Sequence, residues 1–142
     1  MPVVYTIDLA RSLVLSRGWG VVTDRELLAH ARALTADPRF ARSFHQLADL
    51  RDVTDAQVTA STNKQMLVRL NPFGAGARRA MVVTCDVAFG MARMYQILRD
   101  GSPDKLEIFR EMDDALQWLG IADAKAESLS ALSKAPPIPG LD

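Results

Sequence analysis

The sequence predicts an α/β domain: a mixed, mostly parallel five-stranded sheet that opens with an N-terminal β-hairpin and is covered by about four helices. Three observations lead there. Two runs rich in β-branched residues follow one another almost without a gap at the N-terminus. After them, apolar runs of strand length alternate with segments whose apolar residues recur every three or four positions. Caps, prolines and glycines punctuate the borders. Strands that alternate with helices need right-handed crossovers, which make the later part of the sheet parallel.

"VVYTIDLA" (3–10) interleaves Val4, Thr6 and Asp8 with Val3, Tyr5 and Ile7, the pattern of a half-buried strand. "RSLVLSRG" (11–18) follows so closely that a tight hairpin near Asp8 to Arg11 must join them, antiparallel. In "TDRELLAHARALTADP", Thr23 and Glu26 stand at capping-box spacing; Leu27, Ala31 and Leu34 then recur on one helical face until Asp37-Pro38 stops it. "SFHQLADL" (43–50) reads as the third strand. A second helix runs through "DAQVTASTNKQMLVRL" and stops before Asn71-Pro72; Thr54 with Gln57 or Ser61 caps its start.

"RRAMVVTC" (78–85) is a short, nearly continuous apolar strand, as expected when both faces are covered. "DVAFGMARMYQILRDG" reads as a helix capped by Asp86, with Val87, Met91, Met94, Tyr95 and Leu98 inward and Gly101 beyond its end. "DKLEIFRE" is the last strand, with Leu106 and Ile108 opposite Glu107 and Phe109. "EMDDALQWLG" is the last strong helix, with Met112, Ala115, Leu116 and Leu119 inward. Residues 1–122 then form a single domain, and 123–142 a C-terminal tail, weakly helical and then extended and proline-rich.

The chain has 142 residues, 49% of them apolar and 24% charged, a composition that suits a single-core globular domain. Seventeen basic residues balance seventeen acidic ones, so no net field draws nucleic acid or an acidic membrane surface. No apolar run has the length of a membrane span, and no basic leader precedes an apolar stretch. One cysteine allows no internal disulfide and points to the cytoplasm.

The phrases "RGWGVVTDREL", "DLRDVT", "AFGMARMYQIL" and "LQWLG", in this order over residues 3–120, resemble a SpoIIAA-like domain. That superfamily includes the STAS-type anti-sigma-factor antagonists and is similar in outline to the Sec14-type lipid-transfer fold. More narrowly, the chain resembles a group of small bacterial STAS/Sec14-like proteins of unknown function. In the antagonists the third strand leads to an Asp-Ser-Ser-Gly-type turn whose serine is phosphorylated. Counted from Asp52-Val53-Thr54, that turn falls near Gln57-Val58-Thr59, where no Asp-Ser-Gly is present.

Parallel sheets hold ligands beyond the carboxyl ends of their strands. The candidate ligand or switch region is therefore Asp49, Arg51, Asp52 and Thr54 on the third strand, with Thr59 and Ser61 after it. Cys85 and Asp86 end the neighbouring strand. A hydroxyl at a helix N-terminus can accept a stabilised phosphate, and the same hydroxyls serve as ordinary caps. A nucleophilic Cys85 would need a base. His30 falls mid-helix, and His45 at the opposite end of a parallel strand pair, so no catalytic set is expected. One cysteine and two scattered histidines do not make a zinc site, and "GAGA" (74–77) precedes a strand where a phosphate loop would follow one. No metal or cofactor is expected.

Met81, Met91, Met94 and Met112, with Tyr95 and Trp118, could line a lipid or hydrophobic cofactor pocket, though inward stripes account for most of them. Phe89 and Trp118 lie off those stripes and could form a contact surface. The reading that results is a non-enzymatic cytoplasmic regulatory or protein-interaction domain of STAS-like type, partnered by another protein or by itself as a homodimer, with no nucleic acid and no membrane insertion. The alternatives are a carrier of a small apolar ligand or lipid and, last, an enzyme at the strand ends.

Overall fold

The computed structural model describes residues 3–59, 61–62, 71–98 and 102–138. In chain order these form β1 (Val3–Asp8), β2 (Leu13–Thr23), α1 (Asp24–Ala36), β3 (His45–Gln57), β4 (Arg78–Val83) and α2 (Asp86–Leu98). They continue with β5 (Lys105–Phe109), α3 (Met112–Leu119), a 3-10 turn (Ala122–Ala124) and α4 (Lys125–Ser133). The five strands pair in sequence order; β1 and β2 are antiparallel and every later pair is parallel. The fold class expected from the sequence is the one observed. The hairpin turns where Arg11 pairs with Asp8 at 2.8 Å, and Ser12 adopts a left-handed φ of 53° to close it.

Alternation along the strands sends side chains to two faces. On one face Leu13, Leu15, Leu47, Ala80 and Val82 meet Met112, Ala115, Leu116 and Leu119 of α3 and Leu132 of α4. Each leucine fully removed from water there contributes about 1.5–3 kcal/mol. The other face lies under α1 and α2, where Val14 and Leu34 pack with Phe73, and Val22, Val53 and Val83 with Ala88. β4, at the centre of the parallel part, is covered on both sides as its composition requires.

The capping box is present: the Glu26 carboxylate accepts from the Thr23 N–H at 3.1 Å. Gly120 ends α3 in the left-handed conformation, φ 77°. The segment from 123 packs back on the domain. Ala124, Leu132 and Ile138 are buried, and Pro137 forms an antiparallel bridge with Val4, blunting the β1 edge.

Three boundaries differ from expectation. β2 begins at Leu13 and continues to Thr23 through two register shifts, at Arg17/Trp19 and Gly20/Val21. Gly18 and Gly20 signal a bulged strand and not its end; Gly20 has φ 63°. β3 continues past Leu50 to Gln57, paired with the second half of β2. Its charged residues look like a loop in sequence because this stretch projects beyond the sheet centre into solvent. Thr54 is consequently a strand residue and caps no helix. Of the segment expected as the second helix (55–70), residues 55–57 belong instead to β3 and 58–59 to the turn after it; Ser61 and Thr62 are helical, and 60 and 63–70 lie outside the described residues.

The inner stripe of α2 is also corrected. Ala88, Ala92 and Tyr95 are buried, while Val87 and Met94 are exposed by 53% and 47%. The helix lies against the sheet through small residues, so choosing its inner face by side-chain size rotates it by about one position. The Leu98 side chain lies outside the described residues. Asp86 is the first residue of α2 and reaches Arg110 at 3.1 Å in place of a helix amide.

Candidate functional site

The carboxyl ends of β3 and β4 bring six of the expected residues together. Arg51 grips Asp49 with two hydrogen bonds, 2.9 and 3.0 Å; Asp49 is buried. The Asp49 bond, outweighing burial, raises the Arg51 pKa. Asp52 pairs with Arg17 at 3.2 Å. The Thr54 carbonyl accepts from the Cys85 thiol at 3.3 Å, and Thr84 donates to the Arg51 carbonyl at 2.8 Å. Arg110 joins Asp86 to the Thr84 carbonyl and stacks 4.1 Å from the Phe89 ring. These contacts tie adjacent strand ends together; the exposed pairs of Asp52 and Asp86 are each worth about 0–1 kcal/mol.

The histidines are elsewhere. His45 sits where β4 begins, its Nδ1 accepting from the Arg78 N–H at 2.9 Å, and burial lowers its pKa. His30 contacts Ser16 and Tyr5. Among the described residues, no group of three His, Cys, Asp or Glu side chains could hold a metal ion, and no helix is long and apolar enough to cross a membrane.

The distinctive chemistry lies inside the domain. Between α1, α2 and the sheet is a cavity of about 150 Å³. Its walls include Val22, Leu27 and Leu34 on one side and Met81, Met91 and Ala92 on the other. Ser16, His30, Gln46, Arg79 and Tyr95 also line it. These five form one hydrogen-bonded row. Ser16 Oγ is 2.8 Å from His30 Nε2, and Gln46 Nε2 donates to Ser16 Oγ at 3.0 Å. Arg79 Nε donates to Gln46 Oε1 at 3.0 Å, and its Nη1 donates to the Tyr95 hydroxyl at 3.3 Å and to Asp104 at 3.4 Å. Asn71 donates to Asp104 at 2.9 Å. Arg79 is 7% exposed and stacks 4.5 Å from Phe73. Burial, reinforced by the Arg79 charge, pushes the His30 pKa down to about 4, so the ring is neutral at pH 7.

Apart from Tyr95, expected with Met81 and Met91 as a possible pocket liner, none of the residues of this row was expected in a site. A signal for one of them existed: a strand covered on both faces that begins Arg78-Arg79 must point one guanidinium inward. Gln46 and Ser16 carry no such mark, because single polar residues in strands usually face water.

No protein-family profile matches the chain, and no curated protein matches it. Among solved structures, the chain is similar to that of an uncharacterised protein of the DUF3478 family with a SpoIIAA-like fold, from Shewanella loihica PV-4. It has a TM-score of 0.50 at 18% identity, covering 82% of this chain and 93% of that one. The chain has a SpoIIAA-like fold. At that identity the likeness is one of fold alone.

In this SpoIIAA-like chain the turn after β3 is held by Thr59 and Asp24. Asp24 accepts from both the backbone N–H (2.9 Å) and the hydroxyl (3.0 Å) of Thr59, and the Thr59 hydroxyl oxygen accepts the Thr62 N–H at 3.1 Å. The backbone N–H of Thr59, outweighing burial, lowers the Asp24 pKa. Thr59, not Thr54 or Ser61, is thus the capping hydroxyl, and Ser61 is exposed. Phe89 and Trp118 are both partly buried under stacked guanidinium groups: Arg110 lies on Phe89, and Arg78 is 5.7 Å from the Trp118 ring, which also meets Phe109. The exposed apolar side chains of α2 are Val87, Met94 and Ile97.

Proposed function

We propose that this chain is a non-enzymatic binding domain that takes up a small apolar ligand between α1 and α2. The observation that carries the reading is the core cavity of about 150 Å³, largely apolar and floored by a buried polar row. A half-open apolar pocket of this size leaves its walls short of dispersion contacts that an occupant would restore. The strand-end cluster supports the non-enzymatic side of the reading, since its thiol meets a carbonyl and its carboxylates meet arginines. A reducing, cytoplasmic setting suits the free Cys85.

The exposed side chains of α2 favour a second, compatible role in protein contact, with a second copy or another protein as partner. The helix that walls the cavity through Met91 and Ala92 presents Val87, Met94 and Ile97 outward. Ligand uptake and an outer contact would then act on the same helix.

Native mass spectrometry of protein purified from cells tests the first role. A bound small molecule that is lost in an Ala92→Met variant, whose longer side chain fills the void, is the expected result. An apo mass in the native protein, or a mass increment unaffected by Ala92→Met, would refute it.

A further inference from the structure

We infer that the cavity accepts a small monocarboxylate with an apolar body, its carboxylate on Arg79 and its body between α1 and α2; this rests on the ligand-binding reading above. Size comes first. An apolar cavity of about 150 Å³ holds roughly one benzene ring, so the occupant is far smaller than a phospholipid.

The hydrogen-bond inventory then selects the polar end. Arginine only donates, so Gln46 must turn its carbonyl oxygen to Arg79 and its amide nitrogen to Ser16, which is the arrangement found. Ser16 Oγ receives one amide hydrogen and shares one further hydrogen bond with His30 Nε2, 2.8 Å away. Followed to its end, the row leaves a surplus of donors. Among the described residues, Arg79 Nη2, the second Gln46 amide hydrogen and the Tyr95 hydroxyl hydrogen have no acceptor. An occupant that meets this wall must accept hydrogen bonds.

Charge narrows the choice further. The carboxylate nearest Arg79 is Asp104, at 3.4 Å, well beyond the roughly 2.7–2.9 Å of a strong charge-assisted bond, and Asp104 also accepts from Asn71. A buried guanidinium held this loosely keeps positive potential on the cavity side. Its planar fork fits a carboxylate in bidentate fashion. A carbonyl would answer the donors alone; a carboxylate answers the donors and the charge.

The test titrates the full chain with three probes of nearly one shape: benzoate, benzamide and toluene. Calorimetry gives the affinity, and methyl NMR of Met81 and Met91 gives the location. The expected result is that benzoate binds about tenfold or more tightly than either neutral probe, shifts both methyl signals, and loses its binding in Ala92→Met. Arg79→Met should abolish the preference; if that variant does not fold, the probe series on the native chain decides alone. Equal or tighter binding of benzamide or toluene would overturn the acid assignment and leave the ligand-binding reading standing. Binding of none of the three would also overturn it, and native mass spectrometry would then judge the broader reading separately.

Discussion

Replacing Arg79 by methionine tests the interior row most directly. The guanidinium is 7% exposed and the Asp104 side chain 0%. Methionine keeps much of the aliphatic stem but removes the bonds to Gln46, Tyr95 and Asp104 and the stacking on Phe73. Removing one partner of a buried ion pair costs about 3–5 kcal/mol, of which the unsatisfied Gln46 carbonyl accounts for about 1–3 kcal/mol. Because the Asp104 contact is long and Asn71 still serves that carboxylate, the expected loss is at the lower end, about 3 kcal/mol. That is a large share of the roughly 5–15 kcal/mol that stabilises a domain of this size. Urea unfolding followed by fluorescence measures it, with the m-value as a check on two-state behaviour. In a cycle with Asp104→Asn, the double variant should be less destabilised than the sum of the singles by about 1 kcal/mol or more. A single-variant loss below about 1 kcal/mol with an unchanged m-value would place Arg79 in water and refute the reasoning.

His30 has a folded pKa of about 4, below its unfolded value of 6.5, so it stabilises fully above pH 6.5 and loses that contribution as pH falls toward 4. The ring retains some accessible surface, so the loss should be about 2 kcal/mol; His30→Gln should flatten the stability profile in that window, and an unchanged slope would contradict the assignment. Thr59→Ala should cost about 1 kcal/mol in thermal or urea unfolding, and Thr59→Glu at least as much because its carboxylate would face Asp24. Gly120→Ala should cost about 1 kcal/mol, since φ 77° strains any side-chain-bearing residue; a neutral result by calorimetry would contradict the left-handed cap. Val87→Asp with Ile97→Lys should leave stability within about 0.5 kcal/mol and lower the light-scattering mass if α2 pairs with a second copy. Unchanged mass and unchanged capture of partners would remove the contact role.

Much of the fold was legible because it rests on short-range rules. The hairpin showed in the closeness of two β-rich runs, the start of α1 in Thr23 and Glu26, and the inner face of α3 in Met112, Ala115, Leu116 and Leu119. Local character and tertiary setting disagree at a few places. Gly18 and Gly20 look like a strand end but allow bulges, and the charged stretch after Leu50 stays in β3 because β2 runs beside it. Alanine is weakly hydrophobic on its own, yet Ala88 and Ala92 face the sheet because they permit close approach.

The site divides along the same line. The strand-end residues were found from sequence because they are sequential neighbours at a predictable place. The interior row joins residues 16, 30, 46, 79, 95 and 104, which lie on three strands, two helices and a loop. By itself the sequence determined which segments become strands and helices and that the sheet is mostly parallel, since caps and periodicity act within a few residues. Only the tertiary structure decided which polar side chains share the interior. Their burial depends on strand register and helix rotation, and a hydrogen bond between residues so far apart in the chain leaves no local pattern.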